Sequence, residues 1–164
     1  MLAMTLGGLI EGWGHLYRDS ATLQTGVAFV HIGGLVGAGG LAISSDRAIL
    51  RSSREDAAGR QLRLKDLAGT HRPVMISLSL VFASGLLFFL ADLDTFLTSW
   101  VFWLKMGLVA SLMVNGWLLL RAERAVERDP TSEPGWRGLR RRAATSLVLW
   151  LVITLAGTAL VNVA

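Results

Sequence analysis

Four apolar stretches set the pattern of this chain, over 21–43, 73–91, 97–120 and 143–163. Each is close to the ~20 residues with which a helix rising ~1.5 Å per residue crosses a ~30 Å hydrocarbon layer. A backbone in lipid must satisfy its own hydrogen bonds, so such runs are helical. The expectation is an all-α integral membrane protein: one transmembrane domain over 1–164, built as a four-helix bundle. The segment 1–19 is too short and too rich in glycine to span. It is expected at the outer interface, anchored by Trp13 and Tyr17. Polar loops are expected over 44–72 and 121–142, with a short turn over 92–96. Within the first, Ala48–Leu50 and Leu62–Leu67 mix apolar and basic residues, as short helical pieces lying on the inner surface do. Pro130 and Pro134 with Gly135 break the second. The order pairs the helices into two hairpins, makes the second and third helices neighbours, and puts Pro73 first in the second helix, where its missing N–H costs nothing.

Spacing inside the runs shows which faces turn inward. On the first helix Gln24, Ala28, His31, Leu35, Ala38, Ala42 and Ser45 recur at alternating steps of four and three. Thr98, Val101, Lys105, Leu108, Leu112 and Asn115 do the same on the third. Ser77, Ser84 and Ala91 mark one face of the second helix, and Thr154, Thr158 and Asn162 one face of the fourth. His31 lies about 15 Å into its helix and Lys105 about 12 Å, with Ser84 and Thr154 at a matching depth from the other side. Polar groups at that depth are costly. Ser84, Asn115 and Thr154 are therefore expected as interior polar residues, and His31 with Lys105 as the candidate cofactor-binding pair. The plainer alternatives are a packed, hydrogen-bonded histidine, a lysine reaching toward Asp92 or Asp94, and hydroxyls bonded to their own helix carbonyls. Gly33 and Gly37 form a GxxxG pair for close helix packing, either inside the bundle or against another subunit.

Charge adds the topology. Of 16 Lys and Arg residues, 14 fall in 44–72 and 121–142, the others being Arg18 and Lys105. The positive-inside rule makes those loops cytoplasmic and puts both termini on the outer, periplasmic side of a bacterial-type inner membrane. Trp100 and Trp103 suit the outer belt and Trp136 the inner one. No Lys or Arg precedes Arg18, so no signal peptide is expected. Nucleic acid is not the expected partner. Four acids are mixed into each loop (Asp46, Glu55, Asp56 and Asp66; Glu123, Glu127, Asp129 and Glu133), and no aromatic ladder interleaves with the basic residues. Anionic lipid headgroups are the expected contact of these loops.

Composition then narrows the chemistry. At 52% hydrophobic and without cysteine, the chain is neither disordered nor a disulfide or Cys–zinc scaffold. It carries no P-loop, no HExxH, no nucleophile elbow and no paired carboxylates in the membrane, so a non-catalytic protein is expected. Only one histidine is deep, with His71 at the inner edge and His15 outside, which excludes bis-histidine haem within one chain. The cofactor is left open. A haem or another tetrapyrrole shared with a partner chain is the class that His31 could serve. A soft-metal site of His15, Met1 and Met4 lacks compact spacing, and no metal is expected there.

Val30-His31-Ile32-Gly33-Gly34 with Gly39-Gly40, then Ser84-Gly85 and Phe102-Trp103-Leu104-Lys105, resemble the copper-resistance protein D group and related four-helix membrane families. The resemblance covers the first three helices. It implies an interior polar pair of His31 and Lys105 and a link to copper or haem; a Met/His-rich outer loop is missing. Two functions stand against each other. One is a non-catalytic subunit that packs into and stabilises a larger membrane complex, photosynthetic or respiratory. The other is a haem- or copper-handling protein using the midplane histidine. A transporter is disfavoured, since no helix is broken at midplane by Pro.

Overall fold

The computed structural model describes residues 2–52 and 56–163, with side chains over 7–52, 56, 58–160. Met1, Arg54 and Glu55 lie outside the described residues, as do the side chains of Met4 and Asn162. The described chain is helical almost throughout: α1 Leu2–Asp19, α2 Ala21–Arg51, α3 Ala57–Ala91, α4 Leu93–Thr98, α5 Trp100–Arg128 and α6 Glu133–Val163. Four of these, α2, α3, α5 and α6, contain stretches long and apolar enough to cross a membrane. The protein is thus a multi-pass helical membrane protein.

Polar side chains at the breaks start the helices. Ser20 accepts the Leu23 N–H at 3.3 Å, Asp56 accepts that of Gly59 at 2.9 Å and Asp92 that of Thr95 at 3.3 Å. Ser99 does the same for Phe102 at 3.4 Å. Each satisfies a donor that the first turn of a helix leaves without a partner.

The segments expected as loops are largely helix. α2 continues to Arg51, α3 begins at Ala57, α5 reaches Arg128 and α6 begins at Glu133. At 31 and 35 residues, α2 and α3 are far longer than a bilayer requires. Their extensions meet those of α5 and α6 in a hydrophobic core. There Ile49, Leu64, Leu67, Val126, Trp136, Leu139 and Ala143 pack together, all of them buried. That packing explains why α3 runs straight through Pro73, which the sequence placed at a helix start. Leu64 and Leu67 hold the helix on one side of the proline and the apolar stretch on the other, so tertiary contacts outweigh the lost hydrogen bond. It also moves Trp136 from an expected interfacial position into the core. Its indole N–H donates to the Pro130 carbonyl at 2.9 Å, and Arg60 lies over its ring. Arg60 also pairs with Glu133, tying the start of α3 to the start of α6.

α2 packs along α3 and α5 along α6, and the two hairpins meet chiefly where α2 faces α6. Here Gly39 lies against the Trp150 ring, which a Cβ on Gly39 would approach to 3.4 Å. α3 and α5, expected as close neighbours, touch mainly at their ends. At one end Phe89 stacks on Phe102 with Phe96 of α4 beside them; at the other His71 meets Glu123. The six residues of α4 occupy the expected short turn and set the two helices apart.

α1 is a complete helix despite its glycines, and its anchors bind protein. The Trp13 indole N–H donates to the Leu87 carbonyl at 2.9 Å, and Tyr17 meets Phe88 edge-on. Burial there pushes the Tyr17 phenol above its ordinary value.

Candidate functional site

His31 of α2 and Ser84 of α3 face each other across the first hairpin. His31 Nδ1 lies 3.0 Å from Ser84 Oγ. The close approach has a backbone cause, since α2 presents Gly34 and Gly37 to α3. A Cβ on Gly34 would come within 2.9 Å of Val81 Cγ2 and 3.0 Å of the Ser77 carbonyl, and one on Gly37 within 2.8 Å of Ser77 Oγ. Gly85 completes the pocket, because a Cβ there would press on the His31 ring at 3.4 Å. Phe88 closes it edge-on, with ring centroids 5.4 Å apart.

The single proton of the Ser84 hydroxyl has three acceptors within reach: the Leu80 carbonyl at 2.6 Å, the Val81 carbonyl at 3.2 Å and His31 Nδ1 at 3.0 Å. When it goes to a carbonyl of its own helix, Ser84 Oγ accepts from His31, Nδ1 carries the imidazole proton and Nε2 keeps its lone pair. A histidine oriented in this way through its second nitrogen has the arrangement of a ligand or of a proton acceptor. Beside it, between Gly26 and Val30 of α2 and Ser84 and Leu87 of α3, runs an apolar cleft of ≈ 340 Å³.

Lys105 of α5 is partly buried and turns toward the bundle interior. Its Nζ lies 3.8 Å from where a Cβ of Gly157 would stand. The structure thus sets His31 against Ser84 across the first hairpin, and Lys105 beside Gly157 across the second. Thr154 joins neither. That residue is exposed, and its hydroxyl donates to the Trp150 carbonyl of its own helix at 2.8 Å. A threonine bonded in this way needs no interior partner and is stable on an outer face. Thr158 is likewise exposed, and so is Thr98; the inward face of α6 is made by Trp150, Ile153, Ala156 and Leu160. Asn115 is buried, but belongs to the arginine-rich end, where its Nδ2 donates to the Arg142 carbonyl at 3.0 Å.

Of the expected packing pair, Gly37 is in contact and Gly33 is not: Gly33 is exposed, with nothing within 4 Å of a Cβ. Gly34, its neighbour, takes the packing role, because the residues facing α3 are offset by one position.

A polar layer that sequence periodicity did not single out lies one helical turn above the hydrophobic core. Asp46 precedes Ile49, His71 follows Leu67, Glu123 precedes Val126 and Ser146 follows Ala143, so four helices each send one polar residue to one level. His71 Nε2 is 3.2 Å from Glu123 Oε1. The signal in the sequence was a polar residue three or four positions from a core residue on each helix; it was masked because exposed arginines crowd the same segments.

No protein family, no curated protein and no solved structure matches this chain.

Proposed function

We propose that this chain is a non-catalytic subunit that packs into and stabilises a larger membrane complex, an energy-transducing one of the inner membrane. The observation that carries this reading is the outer face of α2. Gly26, Gly33 and Gly40 are exposed there at seven-residue intervals, and a Cβ on any of them would meet nothing within 4 Å. Seven residues return to the same side of a helix within about 20°, so the three form one shallow groove, beside exposed Phe29 and Val36. Apolar contact with lipid gives no hydrophobic drive to association, so helices in membranes associate where small residues let backbones come close. The bundle uses Gly34, Gly37 and Gly39 for its own contacts and leaves this second set unoccupied. In this reading the arginine-rich end is cytoplasmic and both termini are outside, as the distribution of charge supports.

The test is purification from native membranes in mild detergent, with mass spectrometry of the accompanying chains and an absorption spectrum of the same peak. Stoichiometric partners that are lost in Gly33→Leu, while that variant keeps its own fold, are the expected result. A monomer that functions alone would refute the reading.

The orientation of His31 favours a second reading, haem or copper handling, which the resemblance to the copper-resistance protein D group also supports. With Nδ1–H given to Ser84, the Nε2 lone pair is the atom that would bind iron or copper. A Soret band or stoichiometric copper on the isolated chain, abolished by His31→Ala, would establish it in place of the first.

A further inference from the structure

A cleft of ≈ 470 Å³ opens at the side of the bundle where the apolar part of α2 gives way to its arginine-rich extension. Its upper wall is Gly40 and Ile43, and its lower part holds Ser44, Arg47 and Arg51 of α2 with Arg63 of α3. Among the described residues no carboxylate lines it. The nearest acid along α2, Asp46, is buried on the opposite side against Ser146. Three guanidinium groups from two helices thus line one cleft, and together they give it a positive potential. Above them the exposed Gly40 leaves a channel along the helix, open to the same side. A cationic floor with a hydroxyl donor, continuous with an apolar channel, matches an amphiphile with an anionic head and a hydrocarbon tail. Guanidinium forks are suited to phosphodiester oxygens.

We propose that this cleft is a binding site for one anionic phospholipid, whose phosphate is held by Arg47, Arg51 and Arg63 with Ser44, and one acyl chain of which runs past Gly40. The site differs from a general attraction of basic loops to acidic membranes, because it assigns one lipid to three of the many arginines at that end. It does not depend on the subunit reading, and it is tested on the isolated chain.

The experiment is native mass spectrometry of the delipidated, detergent-purified protein, titrated separately with phosphatidylglycerol, phosphatidylcholine and inorganic phosphate. One phosphatidylglycerol is retained per chain, and phosphatidylcholine is not. At about 1 kcal/mol for each arginine, R47Q/R51Q/R63Q weakens retention by about a hundredfold. The variant R128Q/R137Q/R141Q, which removes the same charge from the same end, leaves it unchanged. Gly40→Leu adds bulk to the channel without altering charge, at a position where a Cβ meets nothing within 4 Å, and also weakens retention while helicity stays the same. Equal losses in the two arginine variants would overturn the proposal in favour of diffuse charge. Displacement of the lipid by inorganic phosphate, with no effect of Gly40→Leu, would overturn it in favour of a free-anion site. If the first arginine variant does not fold, Gly40→Leu decides alone, and undiminished retention refutes the site.

Discussion

Gly33 and Gly34 are adjacent on α2, yet a Cβ on Gly34 would press on Val81 and the Ser77 carbonyl while one on Gly33 would meet open space. Gly34→Leu is therefore expected to destabilise the folded protein by about 1–3 kcal/mol through overpacking. Gly33→Ala should stabilise it by about 0.5–1 kcal/mol, because it removes the entropic cost of glycine in a helix. Thermal unfolding of the two variants in one detergent checks both signs. At Ser84 the effect is on a proton rather than on packing. Replacing Ser84 by Ala removes the acceptor that Nδ1–H of His31 has when the hydroxyl proton goes to its own helix, so the imidazole should shift towards a mixture of tautomers. Nitrogen-15 chemical shifts of the His31 ring read this directly; an unchanged pattern would mean that Ser84 does not orient the ring. The same residue shows what periodicity can reveal. Depth along the helices was enough to match His31 with Ser84, 3.0 Å apart. It failed for Thr154, which is exposed, because depth gives the level of a residue and not the side of the helix it faces.

Helix ends explain how the elements hold one another. α3 has no basic residue in its last turn, where the carbonyls lack partners and the dipole is negative. α1 supplies the charge from outside: Arg18 Nη1 donates to the Ala91 carbonyl at 3.3 Å. Arg18→Ala is expected to cost about 0.3–1 kcal/mol. Combined with Trp13→Phe, which removes the donor to Leu87, it should release α1 and make 2–19 the first segment cut in limited proteolysis. The existence of the four long helices was readable, since a run of ~20 apolar residues has no other stable form in lipid. Their ends were not. The extensions of α2, α3, α5 and α6 look like loops because arginines crowd them, and their helicity comes from Ile49, Leu67, Val126 and Leu139 meeting across four segments that are far apart in sequence. The separation of α3 from α5 escaped for a related reason. A short connection fixes which ends are near, and says nothing of whether two helices touch along their length.

The whole molecule has an apolar middle and a charged, separately packed end. The absence of cysteine makes its orientation straightforward to measure. Single variants Asp66→Cys and Glu127→Cys should react with an impermeant maleimide only after the membrane is opened, and Asp94→Cys in intact spheroplasts; the reverse pattern would invert the proposed topology. The charged end has a further consequence. Lipid provides no hydrophobic force between helices, whereas water does. The core around Trp136 and Leu139 draws on both hairpins and lies beyond the apolar stretches, so it can act as a clasp that the membrane itself cannot provide. A gene divided within α4 should therefore yield two fragments, each inserting as an independent hairpin, that recombine into one particle when co-expressed. Leu139→Asp should leave insertion of the second fragment intact and abolish the recombination.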